Sequence, residues 1–122
     1  MEDFTDKITI GILDFFQESE SRELLMSLAE NLLIDVNILF IDNGTPKSYS
    51  KQFLNDGLID ELIINDSNLG CGPATVQMYD YCKTPYLIYV QSDQRLNQKI
   101  DADSMNGMIR ALDEYHCIDL AG

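Results

Sequence analysis

The chain has 122 residues, the length of one domain, with 45% hydrophobic and 24% charged residues, which together read as a folded, soluble globular protein. A net charge of −13 excludes binding to a nucleic-acid backbone, which needs clustered Lys and Arg. No apolar stretch reaches the roughly 20 residues of a membrane helix, and the N-terminal MEDFTDK lacks the basic-then-apolar order of a signal peptide.

In chain order, KITIGIL (7–13) is β-branched and apolar, suited to a strand. SESRELLMSLAENLL (19–33) changes period: Leu25, Leu28, Ala29 and Leu32 form one helical stripe. Ser19 is its expected N-cap, and Glu20 and Glu23 suit the positive end of the helix dipole. VNILFID (36–42) predicts a second strand closed by the turn signal DNGTP. A less regular helix is expected over 47–56, stopped by Gly57, then a third strand IDELIIN (59–65) and the glycine-bearing loop DSNLGCGP. Pro73 suits the first turn of the next helix, which runs to about Cys82, because its missing N–H would be unpaired there. PYLIYVQ (85–91) is almost continuously apolar, as in a parallel strand covered on both faces. A helix near 102–115 and a short strand CIDLA complete a single domain spanning 1–122, without repeat, low-complexity segment or linker.

Cys71, Cys82 and Cys117 form no CxxC and leave one thiol over in any disulfide scheme. They read as packing or idle thiols in a reducing compartment, hence a cytoplasmic location. His116 has no acid or nucleophile at a telling distance and reads as a packing residue.

Alternating strands and helices predict an α/β fold: an open, mostly parallel sheet with helices on both faces and the first strand central. Ligands of such sheets sit at the carboxyl ends of the strands. There the sequence places Asp14, Asp42 with Asn43, Asn65 with Asp66, and Gln91 to Asp93. Each acid taken alone is also a common turn former or helix cap. GCGPAT is a poor dinucleotide fingerprint, because Thr75 replaces the third glycine and the loop follows the third strand.

Four segments in order, ITIGILDFF, ILFIDNGT, NLGCGPAT and PYLIYVQSDQRL, resemble the nucleotide-sugar-binding half of family 2 glycosyltransferases, inverting enzymes of the GT-A fold. The resemblance covers roughly residues 8–96. It implies a glycosyltransferase moving a sugar from a nucleotide-diphosphate donor to an acceptor that the sequence does not identify. It places Asp14 and Phe15 at the base or ribose, gives Asp42 a hydrogen bond to the nucleobase, and sets Asn68 and Gly70 against the ligand. The family's Asp-x-Asp motif falls on Gln91 and Asp93, so Asp93 is the implied ligand of Mg²⁺ or Mn²⁺ and Gln91 a neutral neighbour. One carboxylate suffices for such hard cations when phosphate oxygens and water complete the shell. Thr75 stands where the family often has Arg, and Arg95 is the nearest cation to offset that loss.

The family's acceptor half normally follows the acidic motif, and its catalytic base is not identifiable in this sequence. The reading is therefore a truncated GT-A domain from a longer enzyme, with a natural half-domain as the alternative. A catalytically inactive GT-A-like binding or scaffold domain is the second functional class. A phosphoacceptor receiver is a third, disfavoured because Asp14 has no acidic partner and CIDLAG supplies no Lys.

Overall fold

A computed structural model describes residues 1–45 and 49–115. Four parallel strands form the main sheet: β2 (Ile8–Asp14), β4 (Asn37–Asp42), β5 (Glu61–Ile64) and β6 (Tyr86–Gln91), in the order β5-β4-β2-β6. The expected sheet is present with its first strand inside. Two further segments, β1 (Glu2–Asp3) and β3 (Ile34–Asp35), pair parallel beside it, next to the buried Phe4. The described residues form four helices: α1 (Glu18–Asn31), α2 (Ser50–Asn55) and α3 (Cys71–Tyr81), which connect strands, and α4 (Ala102–Tyr115), which follows β6. The expected strand CIDLA, with His116 and Cys117, lies outside the described residues.

The period-2 alternation of the strands divides the core in two. Ile8, Ile10, Ile12 and Phe40 face one side, where Leu24, Leu25 and Leu28 of α1, Phe53 of α2 and Met105 of α4 cover them. Leu39 and Ile41 face the other side, against Met78 of α3. The helices thus lie on both faces, as crossover connections between parallel strands require.

Three local expectations are corrected. The N-cap of α1 is Gln17, with no side-chain cap bond, and not Ser19, because Ser21 and Leu24 must turn inward. Ala29 is exposed, and Leu24 takes the place expected for it in the stripe. β6 is only half-buried, because it flanks the sheet and has β2 as its one strand neighbour among the described residues. Its apolar run reflects packing against α3 on one side and the α1–α4 layer on the other. Gly57, with φ at 74°, ends α2 as expected.

Gly11, in mid-β2, sets how closely α3 approaches. A Cβ there would stand 2.2 Å from Met78 Sδ and 3.1 Å from Leu87 Cδ1. Gly11→Ala should destabilise the fold by about 1–3 kcal/mol through overpacking. In urea denaturation, Met78→Ala should cost less in that background than in the wild type; equal costs would mean that the two sites do not meet.

Candidate functional site

The carboxyl ends of β2, β4 and β6 present side chains alternately to the two faces, and this parity decides which of them a ligand can reach. Asp14 shares the parity of Ile12 and Asp42 that of Phe40, so both carboxylates turn toward α1 and α2. They are register partners across β2 and β4, 1% and 0% exposed. Asp14 Oδ1 accepts from Ser21 Oγ at 2.7 Å and Oδ2 from the Tyr49 hydroxyl at 2.6 Å. Asp42 Oδ1 accepts from the Thr45 N–H at 3.0 Å and Oδ2 from Ser50 Oγ at 2.9 Å. Burial pushes the Asp14 carboxyl up; the Tyr49 and Ser21 hydroxyls oppose the shift, and the nearby Asp42 charge adds to it. Burial, then the bond to Asp14, also raises Tyr49, which stays neutral as a donor.

Leu13, Asn43, Tyr89 and Gln91 take the opposite parity and line an open cleft of about 270 Å³. Phe15 and Gln17 enter it from the β2 exit, Asn68 and Cys71 from the start of α3, and Ser92 and Asp93 from the β6 exit. Phe16, beside them, holds a left-handed φ of 55°, and its N–H donates to Thr45 Oγ1 at 3.0 Å. This conformation, uncommon outside glycine, turns the chain so that Phe15 lies 40% exposed in the cleft, edge-on to Phe16. Burial, then the Cys71 thiol beside it, pushes the Tyr89 hydroxyl up, which keeps it protonated on the cleft wall.

A network of amides forms the α3 side. Buried Asn43 donates to Asn68 Oδ1 at 2.9 Å, while its own Oδ1 accepts from Asn65 Nδ2 and the Leu69 N–H, both at 3.1 Å. Asn65 and Gln77 exchange two further bonds, at 3.0 and 2.8 Å. Asn68 also accepts from the Gly70 N–H at 2.8 Å. Gly44, with φ at 89°, lets the 42–45 turn close on this loop; a Cβ would lie 2.3 Å from the Ser67 carbonyl carbon. Gly70, with φ at 83°, is the N-cap of α3 and does not line the cleft.

On the β6 side, a short turn presents Asp93. The Gln94 N–H donates to the Gln91 carbonyl at 3.0 Å, and the Gln91 N–H donates back to Gln94 Oε1 at 2.7 Å. Ser92, 2% exposed, donates to Gln17 Oε1 and ties the turn to the start of α1. Asp93 is exposed and makes no hydrogen bond or ion pair with the described residues. Arg95 lies elsewhere. It lines a separate apolar cavity of about 210 Å³, with Leu24, Leu28 and Val90, and its guanidinium binds Glu23 of α1 at 2.6 Å.

Of the residues the resemblance singled out, the structure brings Phe15, Asn68, Gln91 and Asp93 to one cleft. Asp14, Asp42, Gly70 and Arg95 stand behind its walls. Asn43 and Ser92 stood among the polar residues expected at the strand ends, without an assigned role; Gln17 was not picked out, and nothing local in the sequence points to it. Among the described residues there is no group of three His, Cys, Asp or Glu able to hold a metal ion.

No protein-family model and no curated protein matches the sequence. Solved structures do. The chain resembles S. aureus TarS at a TM-score of 0.67 and 17% identity, over 90% of this chain and 20% of that one. It resembles TarS 1-349 at 0.68 and 16% identity, and TarS 1-349 in complex with UDP at 0.71 and 16%, each over 90% of this chain and 33% of that one. The fold is of the GT-A type. In this GT-A sheet the strand ends carry the cleft, as expected from the parallel topology. The chain spans between a fifth and a third of the length of these neighbours.

Asp14 supplies a test of the buried acid pair. Its folded pKa lies above the ordinary 3.8, so the fold binds a proton more tightly than the unfolded chain does. Stability from this group therefore falls as pH rises from about 4 through the folded value, and the loss is complete above it. Asp14→Asn removes that component. In urea denaturation, the stability of Asp14→Asn relative to wild type should rise between about pH 4 and pH 7. A flat difference would mean that the carboxyl is not shifted.

Proposed function

We propose that this chain forms the donor-binding part of a glycosyltransferase that takes its sugar from a nucleotide-diphosphate donor, of the uridine class, with inversion. The observation that carries the reading is the cleft at the carboxyl ends of the parallel strands, where exposed Phe15 and unpaired Asp93 enter from adjacent strands. Its support is the likeness in fold to a protein solved in complex with UDP.

Within this reading, Phe15 offers the base an apolar face. Asn68, with one amide hydrogen-bonded into the loop, and the exposed Gln91 amide border the sugar and phosphates. Asp14 and Asp42 act from behind, holding the strand exits rather than touching the ligand. The Asn43 network fixes the loop that carries Gly70, and so the distance between the α3 and β6 walls.

The residues present fit Mg²⁺ or Mn²⁺ in one way. Asp93 is a free hard-oxygen ligand, the neighbouring Gln91 brings an amide oxygen without charge, and the remaining ligands would come from diphosphate and water. When bound, such an ion supplies neutralisation of the diphosphate leaving group. Direct displacement also needs a base for the acceptor hydroxyl. Among the described residues Asp93 is the sole carboxylate lining the cleft, and on this reading it serves the donor side of the reaction. That same observation favours a second reading, a GT-A-like binding domain without transfer activity.

Calorimetric titration with UDP separates these possibilities. In the wild type, Mn²⁺ should tighten UDP by at least about tenfold, or ~1.4 kcal/mol. Asp93→Asn should remove that enhancement while sparing the weaker affinity for uridine. Equal UDP affinities with and without Mn²⁺ would leave Asp93 as a turn residue and put the inactive binding domain first.

A further inference from the structure

Arg95 was expected to compensate phosphate charge, yet its guanidinium is spent on the turn that carries Asp93. Nη1 donates to the carbonyls of Ser92 at 3.1 Å and Gln94 at 2.6 Å, the residues on either side of Asp93. Nη2 donates to Glu23 Oε2 at 2.6 Å, on the outer side of α1. A planar fork of fixed donors suits this three-way contact, which a lysine ammonium on its flexible stem does not reproduce. The chain beyond Arg95 is anchored to α1 separately. The Leu96 N–H donates to Ser27 Oγ at 3.1 Å, Asn31 Nδ2 to the Leu96 carbonyl at 2.7 Å, and the Ile100 N–H to the Asn31 carbonyl at 2.9 Å. Beyond the pairing of Gln91 with Leu13 of β2, the turn has two side-chain ties among the described residues, Ser92 to Gln17 on the cleft side and Arg95 to Glu23 on the opposite side.

We infer that Arg95 is a positioning residue that clamps the 91–94 turn to α1 through Glu23 and so fixes the direction of the Asp93 carboxylate. The inference rests on the donor-cleft reading above. Asp93 has no hydrogen-bonded partner of its own among the described residues, so its aim is set by the backbone of the turn. A ligand that must meet a metal shared with a diphosphate tolerates little error in that aim.

Arg95→Lys, Arg95→Met and Glu23→Gln test this against direct phosphate contact. Without ligand, hydrogen exchange at the Gln91 and Gln94 amides should quicken about three- to tenfold in all three variants, with the Ile100 amide unchanged. In calorimetry with Mn²⁺, UDP affinity should fall about three- to fivefold in all three, the scale expected of a partly exposed ion pair, and metal-free affinity should stay the same. A guanidinium that met the phosphates directly would behave otherwise: Lys would largely replace it, and Glu23→Gln would free it and raise affinity. Either result overturns the clamp, as does unchanged exchange at Gln91 and Gln94. Wild-type UDP binding that ignores Mn²⁺ overturns the donor-cleft reading and the metal role of the clamp together, while the exchange rates still report whether the tether exists.

Discussion

The residue-for-residue pairing of β2 with β4, up to Asp14 opposite Asp42, is the constraint on which the site depends. It places two carboxylates side by side at the buried end of a sheet, an arrangement that costs free energy unless each is well bonded. The donors come from separate elements: Ser21 from α1, Tyr49 from the segment before α2, Ser50 from α2, and Thr45 from the turn after β4. The acids therefore link both helices to the strand ends. The same elements shape the cleft, because Thr45 Oγ1 holds the Phe16 N–H and the Tyr49 hydroxyl accepts the Gln17 N–H at 2.8 Å. Phe15 and Gln17 reach the cleft from a backbone that the buried acids organise.

Much of this architecture was legible in the sequence, because its strands are short β-branched runs separated by helix-length segments. ITIGIL and NILFID have few other ways to bury themselves, and right-handed crossovers then leave a single simple order of strands. The acids themselves were legible as residues at strand ends, but their direction was not drawn from the pattern. Period-2 alternation carries that information. Asp14 and Asp42 continue the rows of Ile12 and Phe40 into the α1 and α2 layer, while Asn43 continues the row of Ile41 into the cleft. A turn-forming Asp-Asn-Gly obscures this, since its local chemistry explains both residues without reference to either face.

The remaining features are contacts between distant segments with no local signature. Ser92 with Gln17 and Arg95 with Glu23 each join residues more than seventy positions apart. An exposed arginine beside a strand end reads equally well as a phosphate ligand or a structural tie, and only the position of Glu23 decides between them. The Asn43–Asn65–Asn68–Gln77 network is similar: amides are both donor and acceptor, so composition alone does not reveal which will pair. Gly44 was legible as a turn residue, whereas its second role, admitting the Ser67 backbone, depends on the loop folding back.

The charge of the cleft bears on how a ligand would be held. Among the described residues no Lys or Arg lines it, and a protein of net charge −13 repels a diphosphate at long range. Two local features soften this. The first turn of α3 reaches the cleft at Cys71, bringing the positive end of a helix dipole, although Pro73 withholds one N–H from that turn. Gln91 is a neutral amide, which adds no repulsion against a phosphate on approach. For the divalent cation of the proposed reading, a single exposed carboxylate would leave most of the shell to other ligands. Under the proposed reading, cation and nucleotide would then bind with strong mutual dependence, each completing a site that the other finds unfavourable alone. A cleft with two acids would instead load its metal first; on the proposed reading, Gln91 would make the diphosphate itself a condition of assembly.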